Sequence, residues 1–279
     1  MVDKRYYEKL GGFSYLLGEL RKKLGKEQTD VLVNDAVDLC NELCDQYKGL
    51  PAKEGHHIPA GIYLRKYYEF VKTSNFCHYY NGGGFSMFYT TYNDFTFWNI
   101  PILEADQDFS YRNPQLHKIG GVGYGKRGEI LDTHILKKGL LFSREGQAIP
   151  SESSIASYLI LGFTNSILAQ YSINLYTGQH KISGNVNLLP MPDYATRQSD
   201  IERIVNAIIE IKRKCFCLDE TNLEYHGLLA QMDLKDGIEA GLDKMQEQLT
   251  ADYTQYTELV KENDDLWMDL ADIDRGSEF

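Results

Sequence analysis

Three groupings in this chain have the residue types for chemistry, and spacing decides each of them. Pro192-Asp193 followed by Glu210-Ile211-Lys212 spells the Pro-Asp…Glu-x-Lys signature of Mg²⁺ nucleases. There, carboxylates hold the metal and the lysine positions the attacking water. Glu and Lys two residues apart share a face only on a strand, because a helix turns them about 200° apart. The residues around Glu210 keep a helical period, so Asp193, Glu210 and Lys212 match this signature by accident. As metal ligands, His56-His57, Cys40 with Cys44, and Cys215-x-Cys217 never assemble four groups at zinc spacing. Gly82-Gly83-Gly84 lacks the Gly-Lys-Ser/Thr ending and the following helix of a phosphate-binding loop, and reads as a tight turn. An adenine methyltransferase needs an Asn/Asp-Pro-Pro-aromatic loop to grip a flipped base. The 7 prolines include no Pro-Pro pair, so that loop is absent. No catalytic residue, metal or cofactor is assigned to this chain.

What remains is contact chemistry. Lys126-Arg127, Lys137-Lys138, Arg144 and Lys181 fall beside glycines and aromatics. Lysine and arginine neutralise phosphates, while Arg, Asn, Gln and Ser can read base edges. Formal net charge is −11, which on its face argues against a polyanion. Its distribution is uneven. From Tyr111 to Glu145 seven Lys or Arg face three acids, a net +4. From Leu218 onward seventeen acids face four bases, a net −13. A basic middle and an acidic tail suit a polyanion site in one part and a solvated or partner-docking surface in the other.

The elements that must position these loops follow from periodicity. Residues 4 to 24 and 28 to 47 read as helices, the second capped by Thr29 or Asp30, and Tyr63 to Val71 as a short helix carrying Arg65 and Lys66. From Phe76 to Ile102 the aromatic and β-branched alternation predicts a meander of two or three strands. Gly139 to Ser143 reads as a further strand, with turns at Gly128, Gly139 and Gly146. Ser151 or Ser153 starts a helix to about Tyr171 whose apolar residues nearly encircle it, so it should be buried. Gly162 and Ser166, one turn apart on it, should let another element approach closely. Ser183 to Leu189 reads as a strand stopped by Pro190 and Pro192. Ile201, Ile204, Ile208, Ile211 and Cys215 then form one coiled-coil seam. Ile238, Leu242, Met245, Leu249, Tyr253, Tyr256 and Leu259 or Val260 form a second, and the two helices should pair antiparallel.

The resulting fold class is α+β: an N-terminal helical region (1–75), a β-rich recognition-like domain (76–195) and C-terminal coiled-coil-like helices (196–274). The terminal Arg275-Gly276-Ser277-Glu278-Phe279 reads as a cloning scar and is set aside. With 5 cysteines in no regular framework, no signal-peptide pattern and no apolar run of transmembrane length, a reducing, cytoplasmic setting without a membrane is expected.

The middle of the chain also resembles a known family. GGVGYGKRG followed by LKKGLLFSREGQAI is similar to the start of the target recognition domain in single-chain adenine-specific DNA methyltransferases. These include the type IIG restriction-modification enzymes and the BREX phage-exclusion methyltransferases. The helix ending LGFTNS is similar to their Leu-Asn-Ser-containing helix. SGNVNLLPMP, then IERIVNAIIEIKRK, resembles both those enzymes and type I restriction specificity subunits, where a strand with a Pro-x-Pro-like stop leads into a spacer helix. The resemblance covers roughly residues 110 to 270. It implies a DNA-recognition half that partners double-stranded DNA and a methyltransferase domain or subunit. S-adenosylmethionine is then the parent enzyme's cofactor, with none in this chain. By position, the implied DNA contacts are Tyr124, Lys126, Arg127, Ser143, Arg144, Lys181 and Asn185. Arg127 and Arg144 would read guanine or grip phosphate, and Lys126 and Lys181 would grip phosphate. The alternatives are an acidic helical scaffold that binds a protein and, more remotely, the Mg²⁺ nuclease.

Overall fold

Where aromatic and β-branched residues alternate, short strands form, and the computed structural model sorts them into two small sheets. It describes residues 21–31, 50–58, 63–69, 75–83, 86–110 and 112–273. Cys40, Cys44, Gly84, the scar at 275–279 and most of the two expected N-terminal helices lie outside these residues. Within them, residues 21–24 and 26–31 are helical on either side of Gly25. Thr29 does not cap the second of these helices; its hydroxyl donates back to the Gly25 carbonyl at 2.8 Å.

The first sheet joins β1 (Leu64–Lys66), β2 (Phe76–Tyr80) and β3 (Asp94–Phe97) in the order β1-β3-β2, all antiparallel. The expected helix at Tyr63 to Val71 is thus corrected over Leu64–Lys66. Cross-strand pairing, with the Lys66 ammonium on Asp94, outweighs local helical spacing there. A four-residue helix, α1 (Ile100–Leu103), follows. The second sheet is centred on β4 (Gly121–Gly125), flanked antiparallel by β5 (His134–Leu136) and β7 (Gly146–Pro150). β6 (Leu141–Phe142) pairs parallel with β2 and leads through a three-residue turn into β7, so that one turn ties the two sheets together.

A helical layer covers the second sheet. Ser153 caps α2 (Ser154–Thr164), its side chain accepting the Ala156 amide at 3.2 Å. The single helix expected as far as Tyr171 is in fact two. Ser166 acts as a second N-cap, accepting the Ala169 amide, and starts α3 (Ile167–Tyr176). Two exposed residues, Ile155 and Ile167, show that this helical pair is not buried all round. Ser183 to Leu189 is not a strand. Ser183–Val186 form one helical turn, α4, after which the Asn187 side chain bonds the backbone of Ala52 on both its groups.

α5 (Gln198–Phe216) and α6 (Ile238–Leu270) run antiparallel, since Arg203 pairs with Glu262 while Lys214 reaches back to Asp252. The α5 seam is buried at Ile201, Ile204, Ile208 and Ile211, but Cys215 is exposed. The α6 seam holds only in its second half. Leu259, Leu266 and Trp267 are buried, whereas Ile238, Leu242 and Tyr253 face solvent, because α5 is too short to cover a 33-residue helix. Gly162 is where α2 meets both partners. A Cβ there would stand 2.9 Å from Ile201, 3.1 Å from Asn263 and 3.1 Å from the Trp267 indole nitrogen. The Asn263 amide donates to the Gly162 carbonyl at 2.8 Å. One apolar core runs from Val122, Tyr124 and Ile149 of the sheet through Leu161 and Phe163 to α5 and Trp267. No helix among the described residues is long and apolar enough to cross a membrane.

Candidate nucleic-acid interface

The basic residues that look like one island in sequence fall at two ends of β4. Lys118 and Lys138 lie where the strand begins, with the Gly139 amide donating to the Lys118 carbonyl at 3.0 Å. Lys126, Arg127 and Arg144 lie where it ends, beside the Gly125–Gly146 register pair. Five extended residues separate the two ends by about 14 Å. Lys137 belongs to neither set, because its ammonium is drawn onto Glu224 beside the Tyr89 ring. Lys118, Lys138 and Arg144 are exposed, and none enters an ion pair among the described residues.

The far end is built by backbone straps. The Lys126 amide donates to the Glu145 carbonyl at 2.8 Å, the Gly128 amide to Gln179 at 2.9 Å, and the Lys181 amide to the Lys126 carbonyl at 2.7 Å. Residues 126–128 are therefore held between the β6–β7 turn on one side and residues 179–181 on the other. Lys181, an expected phosphate contact, is fully buried. Its ammonium donates to the carbonyls of Gly128 and Gly178, both at 2.8 Å, and burial pushes its pKa down to about 8. It fastens the loop from beneath instead of meeting solvent. Between the strapped segments lies a shallow depression of about 550 Å³ lined by Arg127, Gly128, Glu129, Ile130, Gln179 and His180.

The β6–β7 turn is braced just as closely. The Ser143 hydroxyl accepts the amides of Glu145 at 3.1 Å and Gly146 at 2.6 Å, which turns Arg144 outward. Gly146 sits directly against Gly82. A Cβ on it would lie 2.4 Å from the Gly82 nitrogen and 2.8 Å from the Tyr80 carbonyl oxygen, and Gly82 itself has φ +88°. On the opposite side the Arg144 amide donates to the His56 carbonyl at 2.9 Å. The His56 ring stacks on His117 at 3.6 Å, and His117 stacks on Phe142. Backbone amides of Arg112 and Phe142 donate to the Nδ1 atoms of His56 and His117, which keeps both rings neutral. Burial lowers their pKa values to about 3 and about 4.

Tyr124 and Ser143 are buried, so their expected direct contact with a ligand gives way to support. The Tyr124 hydroxyl donates to Gln147 at 2.8 Å, and burial raises its pKa well above the ordinary value. Asn185 is half-buried on the α4 turn. Of the expected contacts, Lys126, Arg127 and Arg144 gather at one end of the sheet, and only Arg127 and Arg144 among them are exposed. Arg127 donates its Nε to Glu145 at 2.9 Å, and Lys126 lies 3.6 Å from the other oxygen of the same carboxylate.

No protein-family model matches the chain, and no curated protein does. Among solved structures, the Type IIL restriction-modification enzyme MmeI in complex with DNA is similar in fold, with a TM-score of 0.51 and 11% identity. The match covers 82% of this chain and 33% of that enzyme. The chain shares its fold with part of a restriction-modification enzyme.

The nuclease signature comes apart on that fold. Glu210 faces solvent and pairs with Arg213 at 3.1 Å, while Lys212 turns inward to Ser86 at 2.7 Å and the Met87 carbonyl at 2.5 Å. Asp193 accepts the amide of Ala195. No three His, Cys, Asp or Glu side chains cluster as metal ligands among the described residues. Sequence reasoning missed Glu145, which ties two cations, and Gly82 with Gly146, which seat its turn. Glycine punctuation was visible, but the contact between two turns 64 residues apart has no local signal.

Proposed function

We propose that this chain is a DNA-sequence-recognition module of an adenine methylation or restriction system. The observation that carries this reading is the fold shared with part of an enzyme solved on DNA. The braced turns at the end of β4 support it, since they hold Arg127 and Arg144 out to solvent on a scaffold that fixes their backbone. Lys118 and Lys138 at the other end supply phosphate contacts, and the Arg127 end supplies base contacts. In this reading methyl transfer, with S-adenosylmethionine as donor, belongs to a methyltransferase domain or subunit. Exposed Ile238, Leu242 and Tyr253 on the acidic first half of α6 favour an additional protein contact, and that methyltransferase is the partner we name. The test is duplex binding by the purified chain, measured by fluorescence anisotropy across a salt series. A steep fall of affinity with salt supports the proposal, and no binding at low salt overturns it.

A further inference from the structure

We infer that Arg127 is a guanine-reading side chain held in its reading posture by Glu145, an assignment that rests on the DNA-recognition proposal above. The guanidinium gives its Nε edge to Glu145 at 2.9 Å, yet the side chain remains 72% exposed. With Nε occupied, the two Nη groups remain as a planar pair of donors facing outward. Two parallel donors match O6 and N7 of guanine in the major groove. They also match two phosphate oxygens, and local charge decides between these ligands. Lys126 and Arg127 share one small surface with Glu129 and Glu145, whose two carboxylates offset their charge, and Arg144 on the adjoining turn adds one positive charge. A phosphate arriving there meets two carboxylates. A base edge carries no net charge, and the cytosine paired with a guanine presents an N4 donor that a carboxylate can accept. The exposed cations that enter no ion pair among the described residues are Lys118 and Lys138 at the other end of β4, and Arg144 on the turn next to Glu145.

The brace explains why this arginine has a fixed posture when most exposed ones do not. An exposed ion pair by itself adds little stability. Here both of its backbone anchors are tied, Lys126 to the Glu145 carbonyl and Gly128 to Gln179, with the buried Lys181 ammonium on the Gly128 carbonyl. The remaining freedom is in the side chain, and Glu145 removes most of it. Glu145 and Lys181 are therefore positioning residues.

The experiment is selection of duplexes carrying a randomised stretch by the purified full chain, followed by sequencing of the bound pool. Wild type should enrich a motif containing a guanine whose enrichment Arg127→Lys reduces. Lysine keeps the charge but presents its donors from a single nitrogen on a flexible stem, without the planar fork that fixes two parallel bonds, so its selection of the guanine should be much weaker. The lost discrimination at that position should be about 5- to 150-fold, with the other positions and the salt slope unchanged. Glu145→Ala should weaken the same preference while raising affinity for unselected duplex, because two cations are released. If Arg127→Lys or Glu145→Ala enriches the full wild-type motif, the assignment is overturned while the DNA-recognition reading stands; Arg127 would then be a phosphate contact or a solvated side chain. If wild type binds no duplex at low salt, the DNA-recognition reading itself falls, and this assignment with it.

Discussion

The helical layer and the far end of β4 use the same residue types for opposite ends. In the helical layer, Gly162 removes a side chain so that Ile201, Asn263 and Trp267 can close over α2, and the result is a sealed interior. At the far end of β4, Gly146 and Gly82 remove side chains so that two turns can press backbone to backbone, and the result is an exposed Arg144 and Arg127. The charges follow suit. Arg203–Glu262 and Arg213–Glu210 are solvated pairs on a helical surface, while Glu145 holds two cations of a single strapped loop. A missing side chain therefore serves packing in one region and posture in the other. Substitutions should separate the two: changes in the helical layer cost stability without altering what is bound, and changes at the loop end alter binding without unfolding the chain.

The largest effect belongs to the helical layer. Trp267→Ala empties a fully buried site against Phe163 and should cost about 3–5 kcal/mol in urea denaturation. Duplex affinity of the folded fraction should be unchanged. Acidification should come next, and it acts on the sheets and turns. His56, His117 and His134 are buried neutral, with pKa values of about 3, 4 and 4 against an ordinary 6.5. The unfolded chain binds protons at these rings as pH falls below 6.5, while the folded chain does not. Their contribution is thus fully present above pH 6.5 and is lost as pH falls from there through the folded values. Between pH 7 and 5.5 the loss should be about 1 kcal/mol for each ring, read from urea midpoints. A chain equally stable at both values would contradict the neutral stack beneath the Arg144 turn.

Smaller effects should appear at the loop end. Lys181→Met removes the ammonium that gathers the Gly128 and Gly178 carbonyls. It should loosen the Lys126–Glu129 loop, seen as faster amide exchange at Gly128, and lower duplex affinity by about tenfold at little more than 1 kcal/mol of stability. An unchanged exchange rate would show that the backbone straps suffice alone. The smallest shift is that of Lys118→Ala, which should reduce the salt slope of duplex binding by about one and leave selectivity untouched. A change in the selected sequence would move Lys118 from phosphate to base contact.

Much of the helical layer was legible in the sequence, because a 3.6-residue period and a serine cap are local signals. Ser153 as one of two serines expected to start α2, the α5 seam from Ile201 to Ile211 and the close approach at Gly162 all have local signals. The break at Asn165-Ser166 was not foreseen, since the apolar residues run on across it and only the second serine cap marks it. α6 misled for a related reason: its heptads continue through Ile238 and Leu242, but periodicity does not say whether a partner is long enough to cover them. The β-rich part was legible as strands and turns, yet its candidate contacts divided by burial. Lys181 and Ser143 read as surface residues because lysine and serine usually are. Their buried positions follow from backbone pairing across the fold, Ser143 with Tyr80 and Lys181 with Lys126, that no local spacing encodes.

The central claim, that the exposed cations at the two ends of β4 form a DNA-binding face, is tested most directly by one titration. Duplex affinity of wild type and of the triple variant Lys118→Ala, Lys138→Ala, Arg144→Ala should be measured across a salt series with fold verified by circular dichroism. Wild-type affinity should fall steeply with salt, and the variant should bind more weakly at low salt with a slope smaller by about three. Equal affinities and slopes for the two folded proteins, or no binding by wild type at low salt, would contradict it.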